Sequence, residues 1–201
     1  MKKFMPVNFA VAGVLVLTAV LGISYAQKNE FIPAEQVLFE QIVVTAQSWG
    51  KDPKIVSFVK AKNASGETLD QAKEQDKAWI STPGIDVFMK SILENGCSKY
   101  LRELRKTAQV IGEFYVMDLN GALVGATNKI ADYWQGDEDM HIKTCQVGGA
   151  GATFIDIIKF DQSSQKFRRQ ISVPVIDLAT GNAIGAITVG VDLDKLTKLS
   201  K

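Results

Sequence analysis

Histidine is almost missing from this sequence, because His141 is the only one among 201 residues. A single imidazole cannot build the histidine clusters that hold catalytic zinc, and a Ser-His-Asp triad would depend on this one residue. The Gly-x-Ser-x-Gly motif that positions a hydrolase nucleophile is also absent. The sequence therefore predicts a protein that is not an enzyme, and it indicates neither a metal nor a cofactor.

An excess of positive charge is missing as well. The chain carries 23 lysine and arginine residues against 22 aspartate and glutamate residues, for a formal net charge of +1. Proteins that bind nucleic acids neutralise phosphates with a surplus of basic side chains. The charge balance therefore predicts no nucleic-acid partner.

No apolar run reaches the roughly 20 residues of a membrane-spanning helix, but a shorter run lies near the N-terminus. Lys2 and Lys3 precede the apolar residues 9–23, and Ser24-Tyr-Ala26 offers small residues where a signal peptidase reads them. This pattern predicts a signal peptide at residues 1–26 and a mature periplasmic protein of residues 27–201. The alternative is an uncleaved segment that anchors the protein in the inner membrane.

Cysteine is scarce, and the two cysteines are Cys97 and Cys145. An even number of cysteines in an exported chain favours a disulfide between them. Such a bridge closes a loop of about 49 residues and stabilises by about 4 kcal/mol in the chain-entropy description. Two buried free thiols are the alternative.

The first half of the mature sequence has helical periodicity. Apolar residues recur at helical spacing from Pro33 to Trp49, which predicts a long N-terminal helix over residues 33–49. Two shorter helices are predicted between residues 52 and 80. Two more are predicted at residues 84–93 and 98–108, because the Pro-Gly and Asn-Gly pairs interrupt the pattern there.

The second half reads as strands. Two apolar runs, residues 114–117 and 122–126, flank Asp118-Leu-Asn-Gly121, and Asn-Gly supplies the positive φ angles of a tight hairpin turn. Further strands are predicted at residues 153–160, 166–175 and 183–191, with a short helix within residues 137–144. The fold class is therefore α+β, with an antiparallel sheet of about five strands.

The segment that leaves the second strand has the composition of a binding site. Tyr133, Trp134 and Gln135 are followed by the carboxylates Asp137 and Glu138. Large amphipathic rings beside charge are suited to surround a small polar ligand. The alternative is that the rings cover the core beside a solvated acidic helix start.

Two charged residues interrupt apolar strands. A carboxylate at Asp156 is costly to bury without a partner. Arg169 is in phase with Ile171 and Val173, so it is expected to point inward, where a guanidinium can pair with a ligand carboxylate. An internal Asp–Arg pair across neighbouring strands is the alternative.

Four segments of the sequence resemble the extracytoplasmic Cache (PDC) sensor domains of bacterial receptors. They are FYVMDLNGALVGATN, DYWQGDE, FDQSS and SVPVIDLATGNAIGAITVGVDL. The resemblance covers about residues 33–193. It implies one domain at residues 27–201, in which a PAS-like sheet at residues 113–193 lies behind the long helix 33–49. It also implies binding and signalling, with a small-molecule pocket under the loops.

The resemblance leads to a functional expectation. The protein is expected to bind an amino acid or a small carboxylate in the periplasm and to inform a membrane-bound receptor or kinase. Because the sequence ends at Lys201 without an output module, it is expected to act as a stand-alone sensor. The long helix is a candidate surface for a homodimer. A structural or assembly factor that keeps the fold without a ligand is the alternative function.

Overall fold

A five-stranded antiparallel sheet forms the centre of the protein. The computed structural model describes residues 33–161 and 165–201, so the predicted signal peptide lies outside the described residues. The strands stand in the order β2-β1-β5-β4-β3, and every neighbouring pair is antiparallel. They are β1 Ile111–Asp118, β2 Leu123–Ala126, β3 Phe154–Asp161, β4 Lys166–Ile176 and β5 Ala183–Asp192. The predicted α+β class and sheet are confirmed.

Helices precede the sheet, connect its strands and follow it. They are α1 Pro33–Trp49, α2 Pro53–Asn63, α3 Leu69–Ser81, α4 Val87–Leu93, α5 Gly96–Thr107, α6 Asp139–Ile142 and α7 Leu193–Leu199. Polar side chains cap most of their N-termini: Asp52 begins α2, and Thr68 begins α3 with a full capping box. The long N-terminal helix agrees with the sequence prediction, whereas α7 was not predicted. Among the described residues, no helix is both long and apolar enough to cross a bilayer.

One face of the sheet, called the helix face below, is covered by α1, α2, α5 and α7. Phe114 and Val116 of β1 and Val189 of β5 point to this face and pack in one core cluster with residues of α1. The Trp49 ring of α1 stacks on Phe114 with centroids 4.9 Å apart. This apolar packing holds the long helix against the middle of the sheet.

The opposite face, called the loop face below, is covered by α3, α4, α6 and the long connection from β2 to β3. Strand alternation turns Tyr115 and Met117 to this side, where they join a second core cluster with Trp79 of α3 and Tyr133. The Trp79 and Tyr133 rings lie 5.8 Å apart. The loop face therefore has its own core, and the candidate site lies on this side.

The β1–β2 turn differs from the prediction at Asn120, which was expected to share a positive φ angle with Gly121. Gly121 has a φ of +88°, but Asn120 has no positive φ. The register shifts beside the turn, so that Met117 pairs with Leu123. An Asp118 carboxylate oxygen accepts hydrogen bonds from the backbone N–H groups of Asn120 and Ala122, each at 2.9 Å. The aspartate therefore holds the turn, and only glycine supplies the left-handed residue.

The predicted disulfide is absent, because Cys97 and Cys145 are both free and buried. Cys97 lies in α5 and packs in the core cluster of the helix face. Cys145 follows α6 and packs in the cluster of the loop face. The two thiols therefore belong to different cores in this structure.

Candidate ligand-binding face

Three hydroxyl groups cross the loop face inside an otherwise apolar part of the sheet. Tyr115 of β1 pairs with Thr188 of β5, and Thr188 pairs with Ser172 of β4. Tyr115 is 3% exposed, and the other two are 0% exposed. Thr188 Oγ1 donates to Ser172 Oγ at 3.0 Å, and Tyr115 hydrogen-bonds to Thr188. These three residues are called the hydroxyl row below.

Helix α6 closes one end of the hydroxyl row. Ser172 Oγ donates to the backbone carbonyl of Met140 at 2.7 Å. Buried polar groups require such partners, so this contact fixes α6 over β4.

Two residues along the same strands from the hydroxyl row, the sheet carries charged and polar side chains that are half-buried; this group is called the open end of the row below. Glu113 of β1 accepts a hydrogen bond from Gln170 Nε2 at 3.4 Å, and Arg168 Nη1 lies 3.6 Å from the same carboxylate. Gly190 lies between Glu113 and Gln170 in the sheet. A Cβ at position 190 would lie 3.3 Å from Glu113 Cβ. Glycine at position 190 therefore allows the Glu113 side chain to lie close against β5, beside an amide and a guanidinium.

The β2–β3 connection carries a cluster of carboxylates on the loop face. Asp132 is half-buried, and Asp137 and Glu138 are exposed; these three residues are called the acidic rim below. Burial raises the pKa of Asp132, and the charges of Asp76 and Asp137 raise it further. Burial likewise raises the pKa of Glu138, with added repulsion from Asp137 and Asp132. Close like charges of this kind favour a cationic group among them.

The acidic rim acts on the hydroxyl row. Burial raises the pKa of the Tyr115 phenol, and the charges of Glu113, Glu138 and Asp132 add to that increase. The Tyr115 hydroxyl therefore stays protonated and neutral. It is a neutral polar group buried within reach of these negative charges.

Tyr133 is placed in the core rather than on a pocket wall. It is 0% exposed, and its hydroxyl lies 2.9 Å from Lys62 Nζ and 3.1 Å from the Glu67 carboxylate oxygens. Its backbone N–H donates to Asp76 at 2.7 Å. Tyr133 thus anchors the start of the segment that carries Asp137 and Glu138.

Trp134 and Gln135 fasten the same segment beside the β1–β2 turn. Trp134 Nε1 donates to the Asn120 carbonyl at 2.7 Å, and the ring packs against Gly136, where a Cβ would lie 2.5 Å from that nitrogen. Gln135 is buried and donates to the Asp132 carbonyl at 3.0 Å. These contacts agree with the alternative interpretation, in which the aromatic rings cover the core.

Asp156 and Arg169 are both buried, but the other residues predicted to bind the ligand do not lie beside Arg169. Asp156 forms an ion pair with Lys159 at 2.5 Å. Arg169 lies on the helix face, with its guanidinium 5.0 Å over the Phe39 ring of α1, and Nε donates to the Asp156 backbone carbonyl at 3.0 Å. The expected link between the two residues therefore runs through a backbone carbonyl. Arg168, one residue earlier, is the arginine that reaches the loop face.

His141 is buried in α6 and fully hydrogen-bonded. Nε2 lies 3.1 Å from the Asp118 carbonyl, and Nδ1 lies 3.1 Å from Gln146 Nε2. Because the amide donates to Nδ1, Nε2 carries the proton and donates to the carbonyl. Burial lowers the pKa of His141. Among the described residues, no group of three or more His, Cys, Asp or Glu side chains is arranged to hold a metal.

The sequence reasoning missed the hydroxyl row and its charged end. Their signal was present: Glu113 and Tyr115 of β1, and Gln170 and Ser172 of β4, are each two residues apart within largely apolar strands. Period-two alternation places such residues on one face, but it does not say which face is covered by helices and which by loops.

Neither a protein family nor a curated protein matches the sequence, whereas solved structures match the fold. The sensor domain of the V. cholerae histidine kinase DctB matches with a TM-score of 0.51 and 14% identity, over 81% of this chain and 52% of that chain. The extracellular domain of the putative histidine kinase vpHK1S-Z8 matches with a TM-score of 0.49 and 9% identity, over 82% of this chain and 54% of that chain. The ligand-binding domain of the Pseudomonas aeruginosa amino acid chemoreceptor PctC in complex with GABA matches with a TM-score of 0.41 and 13% identity, over 82% of this chain and 64% of that chain.

The first of these matches establishes the fold. The chain spans about half the length of the first two solved sensor domains. At such low identity the likeness concerns backbone architecture alone. The protein therefore has the Cache (PDC) sensor-domain fold that its sequence resemblance predicted.

Proposed function

We propose that this protein is an extracytoplasmic sensor module that binds a small molecule on its loop face. The observation that carries the proposal is the buried row Tyr115–Thr188–Ser172, which continues into Glu113, Gln170 and Arg168 at its open end. A structural sheet needs no such polar row, because apolar side chains fill a core without hydrogen-bond partners. The similarity to the DctB sensor domain supports this interpretation.

The charges on this face fit an amino acid or a small amine-bearing carboxylate. The acidic rim at Asp132, Asp137 and Glu138 offers sites for an ammonium group. Arg168 and Gln170 offer donors for a carboxylate. In this arrangement Tyr133, Trp134 and Gln135 contribute by holding the rim in place.

The experiment is a thermal-shift screen of amino acids and small carboxylates, followed by calorimetry on variants. Asp137→Asn should weaken binding of the identified ligand by at least about 30-fold, because loss of a charge-paired contact costs about 2–5 kcal/mol. The matched control is Glu103→Gln in α5, whose carboxylate is exposed and pairs with Lys106. Equal binding by parent and Asp137→Asn would place the ligand elsewhere.

A membrane-bound receptor or kinase is the proposed partner, and export is the proposed route to it. Cleavage after Ala26 leaves Gln27 as the N-terminal residue of the exported protein. N-terminal sequencing of protein recovered from the host tests this. An intact Met1 in the membrane fraction supports the inner-membrane anchor instead.

The outer side of α1 is the proposed surface for a homodimer. Exposed residues recur there at alternating spacings of three and four, the spacing of a coiled-coil seam: Ala34, Val37, Gln41, Val44 and Ser48. Val37 is 54% exposed and Val44 is 63% exposed. Two copies of this helix can bury these valines against each other.

A structural or assembly factor is the second candidate function. One observation favours it: the hydroxyl row is satisfied by its own hydrogen bonds and by the Met140 carbonyl, so it needs no ligand. Native mass spectrometry of protein taken from its host separates the two functions. A retained metabolite supports the sensor, and an empty protein within a large complex supports the assembly factor.

A further inference from the structure

A cavity of about 210 Å³ lies at the β2 edge of the sheet, away from the hydroxyl row. Its walls come from α2, from the corner between α4 and α5, and from β2; they include Phe58, Lys62, Ile92, Cys97, Leu123 and Val124. Phe58 and Cys97 pack with the helix-face core, and Ile92 and Leu123 belong to the loop-face core. The cavity therefore sits where the two cores meet.

Asn95 holds the corner that shapes the cavity. Asn95 caps α5 by accepting from Ser98 N at 2.8 Å, and its amide donates to the Val124 carbonyl at 2.9 Å. A Cβ at position 96 would lie 3.2 Å from the Phe58 ring, so the absence of a side chain at Gly96 allows this ring to line the cavity. Burial raises the pKa of the Cys97 thiol to about 12. The thiol is therefore neutral and unreactive, and this part of the cavity wall is apolar.

Lys62 supplies the polar end of the cavity. Its ammonium lies 2.8 Å from Glu67 Oε2 and 2.9 Å from the Tyr133 hydroxyl. An ammonium has three N–H donors, so these two partners leave one donor for a ligand. Because Glu67 neutralises the lysine charge, a neutral acceptor such as a hydroxyl or carbonyl is favoured over a carboxylate.

We propose that this cavity is a second binding site, which takes a neutral molecule of phenol to indole size with one oxygen or nitrogen facing Lys62. An engineered apolar cavity of about 150 Å³ holds benzene, so the volume here accommodates one aromatic ring with a substituent. The proposal does not depend on the loop-face ligand. Through the Lys62–Tyr133 hydrogen bond, however, the second site adjoins the segment that carries the acidic rim.

The test is a phenol titration of the exported full-length protein, followed by NMR. Saturable binding with a Kd near about 1 mM is expected for a ligand of this size. Intermolecular NOEs should join the phenol ring to Phe58 and to the Val124 methyl groups. Absence of saturable binding, or NOEs to other residues only, overturns the proposal.

Two variants sharpen the test. Lys62→Met keeps the aliphatic stem and removes the donor, so it should weaken phenol binding about tenfold and leave benzene binding unchanged. Val124→Phe should fill the cavity and abolish both. Val87→Phe is the matched control, because Val87 is 85% exposed at the start of α4 and lies outside the cavity. Equal weakening of phenol and benzene by Lys62→Met contradicts the assigned polar end; the NOEs locate the site even if Val124→Phe does not fold.

Discussion

The side chains of Arg168 and Arg169 leave β4 on opposite faces of the sheet. Arg168 Nη1 lies 3.6 Å from Glu113 on the loop face, and the Arg169 guanidinium lies 5.0 Å over Phe39 of α1 on the helix face. Strand alternation requires this separation for any two consecutive residues. It places Arg168 on the face of the proposed binding site, and it makes Arg169 part of the contact between helix and sheet.

Replacing the two arginines should therefore affect stability differently. Arg169→Ala removes a buried hydrogen bond to the Asp156 carbonyl and the packing on Phe39, so the free energy of unfolding should fall by about 2–3 kcal/mol. Arg168→Ala removes a longer contact at the open end of the row, and about 1 kcal/mol is expected. Urea unfolding of both variants measures the difference. A loss at Arg169 no larger than that at Arg168 would contradict the assignment.

The two cysteines should react with a thiol reagent only after the protein unfolds. Burial raises the pKa to about 12 for Cys97 and to about 11 for Cys145, so neither forms a thiolate at neutral pH in the folded protein. Ellman's reagent should find no reactive thiol in the native protein and two in denatured, unreduced protein. Finding none after denaturation would restore the disulfide that the sequence predicted.

Local signals account for the parts of the fold that the sequence predicted well. Pro33 begins α1 and Gly50 follows its end, and Gly121 makes the hairpin turn, so each boundary depends on residues close by. Helix α7 was missed because Asp192 reads as the end of a strand, although its carboxylate caps the helix. Leu193, Leu196 and Leu199 recur every three residues, but seven residues are too few to establish a helical period.

The site was predicted less well because its position depends on contacts between distant elements. The phase of Arg169 with Ile171 was correct, but the sequence does not say that α1 covers that face. Similarly, nothing near Tyr133 in the sequence indicates that Lys62 and Glu67 meet its hydroxyl. Composition identified the segment at residues 132–138, whereas only the packed structure separates its anchors from its exposed carboxylates.

Tyr133→Phe should weaken the attachment of the segment at residues 132–138 without creating a cavity in the core. The substitution keeps the ring beside Trp79 and removes the hydroxyl that bonds to Lys62 and Glu67. The Lys62–Glu67 ion pair remains, so the expected loss in unfolding free energy is about 1–2 kcal/mol. Tyr100→Phe is the matched control, since its hydroxyl bonds to Asp52 at a half-exposed site. Urea unfolding should show the larger loss at Tyr133, and equal losses would argue against the anchor.

A charge on the outer side of α1 should dissociate the proposed homodimer. Val44→Asp places a carboxylate in the middle of the exposed seam, where a second copy would desolvate it. Sedimentation equilibrium should find the parent dimeric at a concentration where this variant is monomeric. Val87→Asp, at a still more exposed valine of α4, should leave the dimer intact. A monomeric parent would remove α1 as a dimer surface.

Acidification should destabilise the protein through His141. Burial lowers the pKa of this imidazole from its ordinary 6.5, so the folded protein keeps the neutral form to lower pH than the unfolded chain does. As pH falls below 6.5, the unfolded chain takes up a proton that the folded chain does not, and the free energy of unfolding falls. The loss stops once pH passes the lowered folded pKa. Protonation in the folded state also displaces the Gln146 amide from Nδ1.

The carboxylates around His141 act in the opposite direction and at lower pH. Burial raises the pKa of Asp118, whose carbonyl accepts from the imidazole, so the folded protein gains a proton there before the unfolded chain does. This stabilises the folded state as pH falls toward 3.8, the ordinary value of that carboxyl. His141→Gln keeps a donor for the Asp118 carbonyl and removes the titration near neutrality. Urea unfolding between about pH 7.5 and pH 5 should therefore show falling stability in the parent and a flatter profile in His141→Gln. The same slope in both proteins would assign the pH dependence to other groups.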